Sequence, residues 1–183
     1  MTFDEIMLTR RSIRAYLDKP VERAKLDKIL RAGAYAPSAL NNQARQFIAI
    51  TDPKILKKLN RAVEKMVDEQ TRARIKGRSE SGEFNFFYNA PVLILVTCSV
   101  MEKFPAEDCA CALENMFLTA HSEGLGSCWI NQLSSLSLVE PFNSFLRSIG
   151  MKDAYKVYGC CALGYPAVEG KLSKPKLNDI IVL

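Results

Sequence analysis

Three arginines and a serine near the N-terminus are the first residues that could bind a charged ligand. Arg10, Arg11, Ser12 and Arg14 lie in TRRSIR, where a short helix is predicted to give way to extended chain. Alternate side chains of an extended segment point to opposite sides, so Ser12 and Arg14 share one side and Arg11 takes the other. The guanidinium of Arg10 and the hydroxyl of Ser12 could hold a phosphate through charge-assisted hydrogen bonds. Arg14, one pleat further, would reach about 6–7 Å beyond that phosphate.

A second polar group follows in PSALNNQ, residues 37–43, which we name the polar loop. Pro37 ends the preceding helix because it cannot continue the helical hydrogen-bond pattern. Ser38 and Asn41 could hydrogen-bond the polar edge of a planar ligand. Arginine-rich and asparagine-rich stretches are also ordinary at solvated surfaces, so the residues alone leave ligand binding and simple exposure both open.

Other chemistry finds little support in the sequence. The six cysteines include no CxxC pair and there is one histidine, so the usual spacing of metal ligands is absent. Most of the cysteines lie in apolar runs and are expected to be small buried side chains. His121 is interpreted as a helix-end residue without a catalytic role. Gly124 and Gly126 form an isolated GxG, which is too weak to indicate a dinucleotide-binding fold.

The bulk properties predict a single domain over residues 1–183. Its 48% hydrophobic and 25% charged residues suit a globular protein. No window has the roughly 18 uncharged apolar residues that a membrane span needs, and the N-terminus lacks a signal-peptide core, so a cytoplasmic protein with no membrane partner is predicted. The net charge of +5 permits an anionic ligand but falls short of the basic face typical of nucleic-acid binding.

The hydrophobic pattern predicts an α+β domain with about four core strands. The predicted strands are QFIAIT, APVLILVTCSV, GSCWI and AYKVYGCCALGY. Helices are predicted over residues 2–10, 21–36, 52–76, 105–124 and 134–150, the last with a kink at Pro141. Strands separated by helices favour a largely parallel or mixed central sheet that is flanked by helices on both faces.

Two features indicate contact with a second chain. The helix after Pro105 has small or apolar residues on nearly all sides, which is typical of burial at a subunit interface or at the centre of a monomer. The C-terminal extension, residues 167–183, has no partner in the local pattern and is expected to reach a second subunit. A homodimer is therefore predicted.

Residues 61–88 combine basic side chains with four aromatic ones. One interpretation is a lid whose basic residues attract nucleotide phosphates and whose aromatic residues line a pocket. The other is a solvated helix face followed by core aromatics. The sequence leaves both open.

The two polar segments together resemble the signature of a known family. RRSIRAY followed by APSALNNQ is similar to the N-terminal motifs of the FMN-dependent nitroreductases, and YNAPVLILV, ALENMFLTAHSEGLGSCWI and CCALGYP follow in that family's order. The resemblance extends from about Thr2 to Pro166 and implies a nitroreductase-like fold in an intertwined homodimer, with FMN at the interface. The family usually has proline and tryptophan where this chain has Ala44 and Arg45, so the resemblance leaves the rigidity of the polar loop open, though not the fold.

The resemblance implies three groups of FMN contacts. The phosphate and the ribityl chain would be held by the first segment: Arg10, Arg11, Ser12 and Arg14. The polar loop would approach the flavin from the other subunit with Pro37, Ser38, Ala39 and Asn41. The backbone that lies along the isoalloxazine and offers an N–H to its N5 would be that of Ile130, Asn131 and Gln132.

Two further roles follow from the resemblance. Arg14 would also lie beside the flavin pyrimidine, where its charge tunes the reduced cofactor. Lys174 is assigned the C-terminal phosphate contact, because Ser173 stands where the family has a basic residue. No catalytic side chain and no metal are expected, since N5 of the flavin carries the chemistry.

The activity that the resemblance implies is a flavin-dependent oxidoreduction. A hydride would pass from NADH or NADPH through FMN to a nitroaromatic, a quinone or a similar acceptor, by a ping-pong mechanism. One alternative is a flavin-binding protein of the same fold that stores flavin or regulates without turnover. Another is a basic nucleic-acid-binding domain that uses the arginines of residues 61–78.

Overall fold

The centre of the fold is a four-stranded sheet. The structure is a computed structural model that describes residues 1–78 and 82–172, together with residues 175 and 181. The strands are β1 (Arg45–Ile50), β2 (Val92–Ser99), β3 (Gly126–Ile130) and β4 (Tyr155–Gly164). Their order in the sheet is β1-β2-β4-β3. The prediction of about four core strands is confirmed, with bounds that differ by one or two residues.

The three pairings of this sheet are antiparallel, whereas the sequence predicted a largely parallel or mixed sheet. A parallel bridge does join Ser12 to Ser127 beside β3. The reason lies in the connections between strands. The prediction treated each connection as one helix, whereas two helices separate β1 from β2 and two separate β3 from β4, and each additional helix reverses the chain once more. One helix connects β2 to β3, and these two strands run in the same direction on either side of β4.

Seven α-helices are found in the described residues. They are α1 (Phe3–Thr9), α2 (Arg23–Ala34), α3 (Pro53–Met66), α4 (Glu69–Lys76), α5 (Pro105–Ser122), α6 (Gln132–Leu136) and α7 (Phe142–Ser148). None of the helices in this part of the chain has the length and apolar character required to cross a membrane.

Two predicted helices are each divided in the structure. The helix predicted over residues 52–76 is interrupted at Val67 and Asp68, because the Asp68 side chain accepts the backbone N–H of Thr71 at 2.7 Å and starts α4 as its N-cap. The helix predicted over residues 134–150 is fully broken before Pro141 rather than kinked there, so that α6 and α7 are separate.

β2 is buried along its length, and this gives the sheet a core on each face. On one face Ile94 and Val96 pack with residues of α2 and α5, including Leu113. On the other face Leu93 and Leu95 pack with residues of α3, α6 and α7. The prediction of helices on both faces is confirmed.

α5 is the main helix of one face and packs directly on α2. A Cβ at Gly33 of α2 would lie 2.2 Å from Cε of Met116, so glycine allows the two helices to approach closely. The buried side of α5 is therefore explained within one chain. Its outer side leaves Cys111 and Glu114 exposed.

The chain after β4 returns along the N-terminal extended segment. The N–H of Leu17 donates to Tyr165 O at 2.9 Å, and the N–H of Ala167 donates to Ala15 O at 3.0 Å. Further on, a Cβ at Gly170 would lie 2.5 Å from Cβ of Arg11. Residues 165–170 therefore contact their own subunit. Contact between the C-terminal extension and a second subunit stays a prediction.

Candidate functional site

Residues 10–14 lie along the outer edge of β3, and we name this segment the basic segment. The N–H of Ile13 donates to Ser127 O at 2.9 Å. Ile13 is buried against Gly126, where a Cβ would come within 2.8 Å of the Ile13 Cβ. Because Ile13 faces inward, its neighbours Ser12 and Arg14 remain exposed. The alternation predicted from the sequence is present.

Arg10 is fixed against α5. Its Nε lies 3.4 Å from Oε1 of Glu114, and its guanidinium carbon lies 5.8 Å from the ring centroid of Phe117. About a quarter of the Arg10 side chain (26%) is exposed. The guanidinium is therefore held at the surface between α5 and the basic segment, where a ligand can reach it.

Arg11 is turned toward the end of α1. Its Nη1 donates to Leu8 O at 3.0 Å and to Arg10 O at 2.5 Å, so it binds carbonyl groups at the C-terminal end of that helix. Its Nε is buried and has no hydrogen-bond partner in the described part of the chain. Arg11 thus combines a structural contact with one buried donor that a ligand could satisfy.

Arg14 and Ser12 lie around the buried thiol of Cys128 on β3. Burial raises the pKa of this thiol, while the charge of Arg14 and a hydrogen bond with Ser12 act in the opposite direction. The charges of Arg10 and Arg78 act on the same thiol. The charges of two arginines of the basic segment and of one arginine after α4 therefore act on the same thiol of β3.

The sequence predicts no FMN contact at Arg78, which follows α4 and is one of the basic residues of the 61–88 segment. Its charge lowers the pKa of the Cys128 thiol, as the smallest of the named influences. A run of basic residues on a helix does not reveal which one faces a site.

Tyr88 contacts Arg14 from a rigid turn. The guanidinium carbon of Arg14 lies 6.0 Å from the Tyr88 ring centroid. Tyr88 and Asn89 have left-handed backbone conformations, with φ of 60° and 55°. The Asn85 side chain holds them, because its Oδ1 accepts the N–H groups of Phe87 at 3.1 Å and Asn89 at 3.0 Å.

The aromatic residues near this turn belong mainly to the core. Phe84, Phe86 and Phe87 are buried, at 5%, 1% and 4% exposure. Of the two interpretations of residues 61–88, core aromatics therefore describe these three side chains. The lid stays a prediction, and residues 79–81 lie outside the described part of the chain.

Ile130, Asn131 and Gln132 connect β3 to α6. Ile130 is buried at the end of the strand, and Asn131 is the N-cap of α6. Oε1 of Gln132 is buried without a hydrogen-bond partner in the described residues. Asn131 and Gln132 line a cavity of about 310 Å³, together with residues around the junction of α3 and α4 that include Arg74. A ligand there would find an unpaired acceptor beside a cation.

The polar loop lies at the N-terminal end of α5. The N–H of Ala39 donates to Oδ1 of Asp108 at 2.9 Å. Within the loop, Ser38 Oγ accepts the N–H of Gln43 and Asn41 Oδ1 accepts its side-chain amide, both at 3.0 Å. Pro37 is exposed at the start of the loop. All four predicted loop residues therefore lie in one loop at the surface.

Arg45 anchors the polar loop, whose rigidity the sequence left open. Its guanidinium donates to the carbonyl oxygens of Ala36 at 2.7 Å, Pro37 at 2.8 Å and Asp108 at 3.2 Å. An arginine where the resembled family has tryptophan was the available signal, but a sequence does not show which carbonyl groups it would meet.

The basic segment and the polar loop are separate within one chain. α5 lies between them, with Asp108 at the loop and Glu114 at Arg10. Six residues of helix correspond to about 9 Å. In the described residues no hydrogen bond or ion pair joins the two groups. Within one chain the two groups therefore do not form one closed pocket.

One predicted contact and one cavity are not part of this arrangement. Lys174 is outside the described residues, so its role as a phosphate contact stays a prediction. A cavity of about 1020 Å³ lies between α3, residues 82–92 and residues 16–21, and none of the predicted FMN contacts lines it. Its mixed charges do not indicate a ligand class.

The residues of the basic segment fit the phosphate and ring edge of a flavin mononucleotide. A cation, a hydroxyl and a buried unpaired N–H suit a phosphate, which offers several acceptor oxygens. Arg14 lies on the same side of the segment as Ser12, at the spacing that a second contact on the same ligand requires.

Comparison with known proteins identifies the family of this chain. The model of the family described as "Nitroreductase family" matches residues 7–165. This chain belongs to the nitroreductase family. The family predicted from the two polar segments is therefore confirmed.

Similar nitroreductases include proteins of known sequence and of known structure. A relative from Archaeoglobus fulgidus, whose name proposes NADH dehydrogenase/NAD(P)H nitroreductase activity, is 31% identical over 90% of this chain and 86% of its own. A 4-nitrobenzoate reductase from Pseudomonas putida is 27% identical over 89% and 85%. The crystal structure of a nitroreductase with bound FMN from Bacteroides fragilis is 36% identical, covers 100% of this chain and 99% of that one, and has a TM-score of 0.91. The nitroreductase-like fold is thus shown along the whole chain.

Proposed function

We propose that this nitroreductase is an FMN-dependent oxidoreductase that passes a hydride from NADH or NADPH to a nitroaromatic, a quinone or a similar acceptor by a ping-pong mechanism. The observation that carries the proposal is the grouping of Arg10, Ser12 and Arg14 along the outer edge of β3, in a chain of this family. The relatives named for NAD(P)H-dependent reduction and the FMN-bound structure support it.

When bound, FMN supplies the chemistry, because N5 of the flavin accepts and donates the hydride. The protein binds and orients it. Arg10 and Ser12 hold the phosphate, and the buried Nε of Arg11 is available to the same group. Arg14 places positive charge at the pyrimidine edge. The backbone groups of Ile130, Asn131 and Gln132 would lie along the ring.

A homodimer is part of the proposal because one copy holds only half of each site. In a two-fold dimer whose α5 helices cross in opposite directions, the loop end of one helix meets the Arg10 end of the other. The axis then passes near Cys111, midway between Asp108 and Glu114. Each FMN would contact the basic segment of one copy and the polar loop of its partner.

The exposed apolar residues around α5 support this dimer. They occur on α1, on the polar loop and just before α5: Phe3 at 66%, Met7 at 49%, Leu8 at 65%, Leu40 at 93%, Met101 at 84% and Phe104 at 42% exposure. Burying apolar surface of this kind gains about 25 cal/mol per Å². A second copy on this face would remove these side chains from water.

The nicotinamide nucleotide has candidate contacts near the same site. The charge of Arg78 acts on Cys128, and Arg74 lines the cavity next to Gln132. Either cation could hold a phosphate of NADH or NADPH while the nicotinamide lies on the flavin. The cytoplasmic location predicted from the sequence stays a prediction.

The deciding experiment is an absorbance spectrum of the purified protein, followed by anaerobic titration with NADH and NADPH. We expect a yellow protein that either nucleotide bleaches and that an added quinone re-oxidises. Retained colour without bleaching would favour flavin storage or regulation instead. A colourless protein that refuses FMN and binds DNA in a salt-sensitive way would favour the nucleic-acid alternative.

The phosphate contacts are tested by the double variant R10A/S12A. We expect its FMN dissociation constant to rise at least a hundredfold, since two contacts to a charged group are removed. R23A is the matched control, because Arg23 is an exposed arginine of α2 that pairs with Asp27, away from the basic segment. Unchanged affinity in R10A/S12A would place the phosphate elsewhere.

A further inference from the structure

We propose that Arg45, acting with Asp108, is a positioning residue that sets the conformation in which the polar loop reaches the FMN of a second copy. The proposal rests on the proposed function, because it takes the loop as a cofactor contact. Neither residue belongs to the predicted contact set, and neither has to touch the cofactor.

The polar loop has an unfavourable backbone conformation. Leu40, Asn41 and Gln43 are left-handed, with φ of 52°, 56° and 51°. Residues other than glycine are disfavoured there and persist only where their surroundings fix them. The Leu40 side chain is 93% exposed, so its own burial cannot supply that support. Hydrogen bonds within the loop, such as that from the N–H of Gln43 to Ser38 Oγ, supply part of it, and contacts from outside the loop add to them.

Arg45 supplies the first of these contacts. Its Nη2 donates to Ala36 O, and its Nη1 donates to Pro37 O and to Asp108 O. The planar guanidinium can hold several acceptors in fixed directions at once, which a lysine ammonium does less well. Arg45 itself begins β1 and pairs with Cys98 of β2, so the sheet fixes its backbone.

Asp108 supplies the second contact, at the middle of the loop. Its carboxylate is buried, at 5% residue exposure, and its Oδ1 accepts the N–H of Ala39. A charged acceptor strengthens such a hydrogen bond. The loop is thus tied to the sheet through Arg45 and to α5 through Asp108.

The tied loop directs donors outward. Ser38 Oγ and Asn41 Oδ1 already accept hydrogen bonds from Gln43. The hydroxyl hydrogen of Ser38 and the side-chain N–H groups of Asn41 have no acceptor among the described residues. These donors suit the carbonyl oxygens of a flavin ring. An ordinary surface connection would not require a strained backbone with this degree of support.

The test compares R45A, R45K, D108A and D108N with the wild-type protein, with R31A as control because Arg31 lies exposed at the end of α2. Two quantities are measured on the full chain. One is amide hydrogen exchange at Ala39 and Gln43 without FMN. The other is the FMN dissociation constant, with the free energy of unfolding recorded for each variant.

We expect R45A and D108A to speed exchange at Ala39 and to raise the FMN dissociation constant about tenfold or more. Exchange at the basic segment should not change. D108N keeps an oxygen that can accept from Ala39, so it should stay close to wild type. R45K should lie between R45A and wild type. Millimolar guanidinium, but not sodium chloride, should partly restore FMN affinity to R45A, a rescue that a general loss of stability would not give.

The proposal is overturned if R45A folds and shows wild-type exchange at Ala39 and wild-type FMN affinity. If R45A does not fold, D108A is compared with D108N. The proposal is then overturned if D108A, like D108N, shows wild-type exchange at Ala39 and wild-type FMN affinity. A wild-type protein that takes up no FMN overturns the proposed function, and with it the cofactor role given to the loop. In that case the exchange data still report whether Arg45 and Asp108 hold the loop.

Discussion

The guanidinium of Arg14 lies over the ring of Tyr88, with 6.0 Å between its central carbon and the ring centroid. The ring is carried by a left-handed turn that the Asn85 side chain holds in place. Cation–aromatic contacts of this kind fix direction as well as adding a modest attraction. The cation that would face the flavin is therefore aimed by a residue about 70 positions away in the chain.

The first prediction concerns the reduction potential of bound FMN. Replacing Arg14 by Gln removes positive charge beside the ring, and we expect a potential more negative by roughly 30–60 mV, or about 1.4–2.8 kcal/mol. Y88L should shift the potential in the same direction by a smaller amount, because Arg14 is then less well aimed. Y88F keeps the ring and should stay near wild type. The measurement is an anaerobic dye-equilibrated titration.

The Arg31–Tyr35 pair provides a matched control. Its guanidinium carbon lies 5.4 Å from the ring centroid at the exposed end of α2. Y35L removes a similar contact away from the basic segment and should leave the potential unchanged. Equal potentials in R14Q and wild type would remove Arg14 from the cofactor's surroundings.

A second prediction concerns which copy supplies each half-site. Co-expression of a R10A/S12A chain with a S38A/N41A chain, each with its own tag, gives mixed dimers. If each FMN lies between two copies, one site of the mixed dimer has both halves intact and the other has neither. We expect about half the wild-type FMN content, measured by flavin absorbance after tandem affinity purification.

The control for this experiment places all four substitutions on one chain paired with a wild-type chain. Every site then has one damaged half, so high-affinity FMN should be lost although the same substitutions are present. If both mixed dimers retain equal FMN, the basic segment and the polar loop do not complete each other across the interface.

A third prediction places Cys111 near the two-fold axis. In a symmetric dimer a residue on the axis faces its own copy. Cys111 is exposed in the single chain, and among the described residues the other five cysteines are buried. A short bis-maleimide should therefore join two chains through Cys111, seen as a doubled mass on a denaturing gel, and C111S should abolish the product. Absence of the product in a protein that sediments as a dimer would move the axis away from Cys111.

The sequence predicted the elements better than it predicted their directions. Thr2 and Glu5 form the expected capping box of α1, and Asp52 caps α3 through the N–H of Lys54. These are local interactions that a short stretch determines. The antiparallel sheet depends on how many helices each connection contains, and Asp68 divides one of them by a side-chain hydrogen bond that competes with the continuing helix.

The residues of the site also divide into those that the sequence could place and those that it could not. Ser12 and Arg14 could be placed on one side of an extended segment from alternation alone. Arg45, Arg78 and Tyr88 could not be assigned, because each reaches the site or the loop through tertiary packing. Arg11 shows the opposite case, since its residue type suited a phosphate while its Nη1 holds carbonyl groups of α1.

A fourth prediction links packing to the site through Gly126. A Cβ at this position would lie 2.8 Å from Cβ of Ile13, an atom close to the backbone that cannot move aside alone. G126A should therefore displace the basic segment and lower the free energy of unfolding by about 1–3 kcal/mol. We also expect weaker FMN binding. Urea unfolding and FMN titration measure the two effects.

G77A is the control for G126A. A Cβ at Gly77 would lie 3.4 Å from its nearest atom, Ala73 O, which is ordinary contact. Its free energy of unfolding should change little, or rise slightly because alanine narrows the unfolded ensemble. If G126A is as stable as wild type and binds FMN equally well, the edge of β3 has more space than the structure shows.

The last prediction concerns pH and His121. Its Nε2 lies 2.8 Å from Oγ1 of Thr9, and its pKa is lowered by burial first and then by the charges of Arg10 and Arg11. The unfolded chain therefore binds this proton more readily than the folded chain, so stability is full above the unfolded pKa of about 6.5 and falls as pH drops below it. Urea unfolding at pH 7.5 and 5.5 should show this loss in wild type and a smaller loss in H121Q. Carboxylates with lowered pKa, such as Glu22 and Glu140, act only at lower pH.

The same measurement with FMN reports on the basic segment. A bound phosphate would bring negative charge to Arg10, and this would offset the repulsion that a protonated His121 meets there. We therefore expect the wild-type loss between pH 7.5 and 5.5 to shrink when FMN saturates the protein, and the R10A/S12A variant to show no such change. A pH dependence that is identical with and without FMN in the wild type would mean that the phosphate does not lie near Arg10.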